Sequence, residues 1–170
     1  MVDQAYAKEL IQKAKGMGAA DAVAFDISQI VFDPRTLIKC MYGCEDWGKG
    51  HTCPSAHPEV SMEQYRDMFS RYYWGVIVHA HDKRTTQRIS LALESKAFAE
   101  GRYFAFSLSD CSLCKDGCAE AGCRNKKMAR PAFHSVGIDV FATAAKFNLP
   151  LVPLRDDGQQ QNWYSAVFVE

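Results

Sequence analysis

Seven cysteines stand out in this 170-residue chain, and they fall into two groups. One is Cys111-x2-Cys114-x3-Cys118-x4-Cys123; the other is Cys40-x3-Cys44-x8-Cys53, with Pro54 directly following. In the first of these, four thiolates lie within 13 residues, and the short spacers keep every sulfur within reach of one small metal centre. Iron–sulfur clusters are held by four cysteine thiolates at mixed short spacings of this kind. Zinc also accepts four thiolates, but structural zinc sites usually pair two short knuckles across a longer stretch. The unbroken run favours a 4Fe–4S cluster, with zinc the less favoured alternative.

The Cys40/Cys44/Cys53 group supplies three thiolates and leaves the fourth ligand open. His51, His57, a carboxylate such as Asp46, an external molecule, or nothing at all are the choices the sequence offers. A cysteine followed by proline also ends bacterial ferredoxin binding runs. Gly43, Gly48 and Gly50 allow the backbone to fold closely and turn N–H groups towards cluster sulfur, where such donors stabilise negative charge. An iron without a protein ligand would act as a Lewis acid, whereas a fully ligated cluster moves electrons. Alternatively, all seven cysteines converge on one larger centre.

The competing explanation is that free cysteines are small buried core residues. It serves for one or two positions, not for seven gathered in glycine-rich or polar segments. Disulfides fit poorly too, because the count is odd and no signal peptide is visible in the sequence. The N-terminal MVDQAYAKELIQKAKG is an amphipathic polar run, and apolar stretches such as Trp74 to Val78 are too short to span a bilayer. A cytoplasmic protein with no membrane association is expected. Twenty Lys and Arg balance twenty Asp and Glu, which argues against a dedicated nucleic-acid binder. A hydrophobic share of 48% suits a globular domain that folds without needing metal.

The elements that must position the cysteines follow from periodicity and caps. Asp3 caps a helix to about Gly16, and residues 22 to 27 read as a strand. Residues 33 to 58 read as irregular, with metal coordination as the ordering force. Ser61 and Gln64 form a capping box for a helix through about Tyr72. Trp74 to Ala80 is a buried strand, and Asp82 caps a helix of about 18 residues ending at Gly101. Strands follow at Tyr103 to Leu108 and Trp163 to Val169, with a helix at Ile138 to Phe147 between them. The alternation predicts an α/β or α+β single domain over residues 1 to 170, a central sheet flanked by helices and carrying two cysteine-bearing metal-binding loops.

Two runs carry a family resemblance. Lys39-Cys40-Met41-Tyr42-Gly43-Cys44, then Trp47-Gly48-Lys49 and Thr52-Cys53-Pro54, resembles the DUF2284 family of predicted metal-binding proteins. Cys111-Ser112-Leu113-Cys114, Cys123-Arg124, Ala129-Arg130-Pro131 and Val136-Gly137-Ile138-Asp139-Val140 is similar to that family's second signature. The resemblance spans about residues 35 to 168. It implies cysteine-ligated metal, iron–sulfur being the expected form, in an anaerobic setting, and it carries no particular reaction. Ser55 after Pro54, and Ser109-Asp110 before Cys111, depart from the family's usual proline and glycines without touching a sulfur.

No phosphate-binding loop or Ser–His–Asp order accompanies the cysteines. Arg130 faces either cluster charge or an ordinary surface or capping role. His79 and His81 flank a strand end, one towards the core and one exposed, and Asp139 reads as a helix cap. The expected role is electron transfer through two 4Fe–4S clusters to a redox partner protein. The alternatives are an enzyme with an open iron and a zinc-stabilised interaction protein.

Overall fold

The computed structural model describes residues 2–112, 114–156 and 158–170; Leu113 of the second signature lies outside them. Four strands, β1 (Asp21–Asp26), β2 (Trp74–Ala80), β3 (Phe106–Leu108) and β4 (Trp163–Phe168), form one sheet in the order β1-β2-β4-β3. Every pairing is antiparallel, with Val23 opposite Ile77, Ile77 opposite Ala166, and Leu108 opposite Ala166 on its other side.

β2 is buried along its whole length because both faces of the sheet are covered. Trp74, Val76 and Val78 point to one face and pack with Leu10, Ile89, Leu93 and Val167. That face is covered by α1 (Gln4–Gly16) and α4 (Lys83–Ala99). Ile77 points the other way and meets Phe25, Phe69, Leu108, Phe133, Ile138 and Phe168. Alternation along the strand thus builds two cores from one sheet. Gly75 is required at its position: a Cβ there would lie 2.2 Å from the Val167 carbonyl oxygen and 2.4 Å from the Phe25 ring.

The caps fall where the sequence puts them. Asp3 accepts from the Tyr6 N–H, Asp82 from Thr85, and Ser61 and Gln64 close a reciprocal box at α3 (Met62–Phe69). Three expectations change. Residues 33 to 58 are not irregular throughout, because Arg35–Gly43 forms a helix, α2, that carries Cys40. β3 begins at Phe106 rather than Tyr103, since Tyr103 and Phe104 are exposed and unpaired in the ladder. The late helix is shortened to α5 (Val140–Ala145), because Ile138 bridges Phe32 and Asp139 serves as the cap, accepting from the Ala142 N–H at 3.0 Å.

That Phe32–Ile138 bridge places the second cysteine group beside the first. The Asp33 N–H donates to the Gly137 oxygen at 2.8 Å and the Asp139 N–H to the Val31 oxygen at 2.9 Å. The strand-like segment entering α2 is thereby tied to the segment leaving the second cysteine loop, across about a hundred residues of chain. Among the described residues no helix is long and apolar enough to cross a membrane.

Candidate metal centre

All seven cysteines are free thiols. Cys40 sits in the last turn of α2 and Cys44 just beyond its end, while Cys53 opens a short 3-10 turn at Pro54–Ala56. Burial pushes the Cys40 thiol up, and the nearby Cys44 and Cys53 sulfurs raise it further. Asp110, the residue before Cys111, adds to the same shift, so the base of the second loop reaches the first group. Without a cation Cys40 therefore keeps its proton; a metal ion reverses that balance by favouring the thiolate. Burial also pushes the Asp110 carboxyl up, opposed by Lys83.

The second loop leaves β3 and returns at Pro131, its neck closed by the Ser109 N–H donating to the Pro131 oxygen at 2.9 Å. Glu94 on α4 grips both sides of that neck. It accepts the Ser107 N–H at 2.7 Å and hydroxyl at 2.6 Å, and on the other side the Arg130 Nε at 2.9 Å. Arg130 Nη2 also donates to Glu94, and the guanidinium lies 5.1 Å from the centre of the Phe106 ring. Arg130 is thus held in a largely buried pair with Glu94, and its Nη1 donates to the Lys127 and Ala129 oxygens of the turn before it. Two turns earlier on α4, Gln87 reaches the loop itself, accepting from the Ser112 N–H at 2.9 Å and donating to the Met128 oxygen at 3.5 Å.

Among the described residues, two sulfurs receive hydrogen bonds. The Ser55 hydroxyl donates to Cys53 Sγ at 3.1 Å and the Asn125 amide to Cys114 Sγ at 3.4 Å. Such donors stabilise charge on a ligating thiolate. Ser109 is fully buried, and its hydroxyl has no hydrogen-bond partner among the described residues. It lies two residues before Cys111, and an orphan of this kind costs about 1–3 kcal/mol unless an acceptor is supplied.

His51 joins the two loops: its Nε2 lies 2.7 Å from the Ala119 oxygen, between Cys118 and Cys123. His57 Nε2 lies 3.0 Å from the His51 oxygen and its Nδ1 3.6 Å from Glu59. Asp46 is exposed. His79 is only 2% exposed and is held by Asp21 at 3.2 Å and Asn162 at 2.8 Å while stacking on Tyr164, so both ring nitrogens are committed. His81 is exposed and its Nδ1 faces the Gln161 oxygen. Burial pushes His134 down.

Among the described residues, no three His, Cys, Asp or Glu side chains gather tightly enough to hold a single ion. A zinc ion with Zn–S bonds of about 2.3 Å would need four sulfurs within about 3.8 Å of one another, whereas a cubane cluster keeps its cysteines farther apart.

Sequence reasoning missed Gln87, Glu94 and Asn125. The signal was present for the first two: Gln87, Ser90 and Glu94 recur at helical spacing beside the apolar Ile89, Leu93 and Ala97, a polar stripe on a packed helix face.

The molecule is thus an α/β protein on an antiparallel sheet, with two thiol-bearing segments in contact through His51 and Ala119. The chain belongs to the DUF2284 family, described as predicted metal-binding proteins, whose model matches residues 23–169. No curated protein and no solved structure matches it.

Proposed function

We propose that the seven cysteines hold two 4Fe–4S clusters and that the protein transfers electrons to a redox partner protein in a cytoplasmic, anaerobic setting. The observation that carries this reading is the approach of the two thiol groups: Cys40 feels Cys44, Cys53 and Asp110, and His51 contacts the second loop at Ala119. Cys111, Cys114, Cys118 and Cys123 would hold one cluster, and Cys40, Cys44 and Cys53 three irons of the other. When bound, such clusters accept and release single electrons. The donor set suits them: soft thiolates, and hydrogen bonds to Cys53 and Cys114.

His51 is the stronger of the two histidine candidates for the fourth ligand. Its Nε2 donates to a backbone carbonyl, which leaves Nδ1 with the lone pair, the arrangement by which ligating histidines are oriented. The Nδ1 of His57 faces Glu59 instead.

A second reading draws on the same three-cysteine group. If no side chain completes it, the exposed iron binds a small substrate or sulfur ligand and the protein is an enzyme. A zinc-stabilised interaction protein is the third.

Anaerobic purification with counts of iron, sulfide and zinc tests these readings. About eight irons and matching sulfide per chain are expected. A colourless protein holding zinc, or one holding no metal, overturns the iron–sulfur reading.

A further inference from the structure

An open groove of about 1330 Å³ lies between the two cysteine-bearing segments and the residues that follow β4. Thr52 and Cys123 line it, as do Tyr73, Tyr103 and Phe104. Small-molecule pockets typically run to about 300–1,000 Å³, so there is room for a ligand of nucleotide size with some solvent.

Its aromatic wall is unusual for being bare. Phe104 is 86% exposed, Tyr103 72% and Tyr73 65%. The segment that carries Tyr103 and Phe104 is anchored to the fold. The Tyr72 hydroxyl donates to the Phe104 oxygen at 2.6 Å, Tyr103 packs edge-on against Phe98 at 5.8 Å, and the Ala105 N–H closes a turn on the Arg102 oxygen at 3.0 Å. Beneath them Phe69 and Tyr72 stack at 6.1 Å, forming a floor. Exposed rings on an anchored segment suit a flat partner, because aromatic pairs gain from offset stacking.

The charges of the groove are unbalanced, although the chain as a whole is neutral. Arg102 and Glu170 cancel one another at 2.7 Å, and Arg102 also meets Asp3. Arg71 has only a long exposed pair with Asp67 at 3.6 Å, and Lys126 has no ion pair among the described residues. Among the described lining residues, the cations Arg71, Arg102 and Lys126 outnumber the one carboxylate side chain, Glu170.

We infer that this groove binds a small molecule with a flat conjugated ring and an anionic group, the ring against Phe104 and Tyr103 and the anion towards Lys126 and Arg71. Concavity favours a small ligand over a second protein surface. One unpaired lysine and one loosely paired arginine on a neutral chain are too few for a nucleic-acid track. The inference rests on the groove alone and does not require the thiols to hold iron.

The test uses two fluorescent ring-bearing anions, flavin mononucleotide and 8-anilinonaphthalene-1-sulfonate, with uncharged riboflavin as control, titrated into the full-length protein. Saturable binding at one site per chain is expected for at least one of the anions. Phe104→Ala, at a fully surface-facing ring, should weaken that binding by about fivefold or more, the low end of a lost stacking contact. Lys126→Glu should weaken the anion and leave riboflavin unchanged. Both variants should keep the parent's metal content and melting temperature, which separates failure here from failure of the cluster reading. Absence of saturable binding by both anions overturns the inference, as does binding that neither substitution alters. Self-association abolished by Phe104→Ala, with no anion bound, would instead assign the groove to a second copy of the chain.

Discussion

The Gln87 side-chain oxygen, buried to 1% exposure on α4, accepts from both the backbone N–H of Ser112 at 2.9 Å and its hydroxyl at 3.1 Å. Ser112 lies between Cys111 and Cys114, so a helix of the core fixes the backbone between two thiols. The same amide reaches Met128 on the returning limb. One side chain therefore spans the loop from within the fold.

Replacing Gln87 by Leu leaves the Ser112 N–H without its acceptor at a cost of about 1–3 kcal/mol. We expect Gln87→Leu to lower iron retention at the second loop and to shift the potential of what remains. Gln87→Glu, which keeps an acceptor, should retain more. Anaerobic metal counts and voltammetry on both variants decide the matter. Equal iron and equal potentials in the two would show that the contact is incidental to the thiols.

Arg130 and Glu94 are both largely buried, so each needs the other. Removing one partner from a buried pair costs about 3–5 kcal/mol, because the remaining charge is stranded. Arg130→Ala should fall in that range by urea unfolding, whereas the double change Arg130→Met with Glu94→Gln, which keeps an acceptor for Ser107, should cost less than the sum of the two single changes. Additive losses in the double variant would contradict a coupled clamp.

The legible parts of the fold are those with local rules. Asp3, Ser61, Asp82 and Asp139 each cap the helix that the sequence assigned to them, because a cap is decided within four residues. β2 is legible from Trp74 to Ala80 because an uninterrupted β-rich run has few alternatives. α2 was hidden. Among its residues only Thr36 is buried, while Ile38, Met41 and Tyr42 are exposed, so no apolar stripe faced a core. Pro34 and Gly43 mark its two ends. At the site, the cysteines were legible by type and spacing. Their grouping was not, because it depends on the Phe32–Ile138 bridge and on Gln87 and Glu94, contacts between residues far apart in the chain.

The start of α2 carries a pH signature. Hydrogen bonds from the Arg35 side chain, at 2.9 Å to Asp33 Oδ2, and from its backbone hold the Asp33 carboxyl down at about 2. A depressed carboxyl stabilises the fold fully above its ordinary unfolded value, and that contribution fades as pH falls towards 2. A carbon-detected NMR titration should show Asp33 with a midpoint near 2. In Arg35→Ala the midpoint should rise towards the ordinary carboxylate range. An unchanged midpoint would mean that the guanidinium is not its cause.

His51 offers a way to ask whether the first centre is closed. With Nε2 donated to Ala119, Nδ1 is free to ligate. His51→Ala should make that centre respond to added cyanide through a changed electron paramagnetic resonance signal, with the second centre unaffected. A parent protein that already responds to the same degree would point to an open iron and to the enzyme reading.

The last question is whether the thiols serve two centres or one. Cys114 lies on the loop held by Gln87, and its sulfur accepts from Asn125, which belongs to the same loop. If each loop holds its own cluster, Cys114→Ser should empty the second site and leave about four irons at the first. The loops touch through His51 and Ala119, so some change in the first centre's potential is expected even then. Loss of all iron from Cys114→Ser, in a protein whose melting temperature stays within a few degrees of the parent's metal-free form, would instead mean that thiols from both loops share a single centre. Mössbauer spectra of the parent provide the independent check. Two clusters should give two sets of iron environments in equal amounts, and a joint centre a single set that every cysteine substitution perturbs.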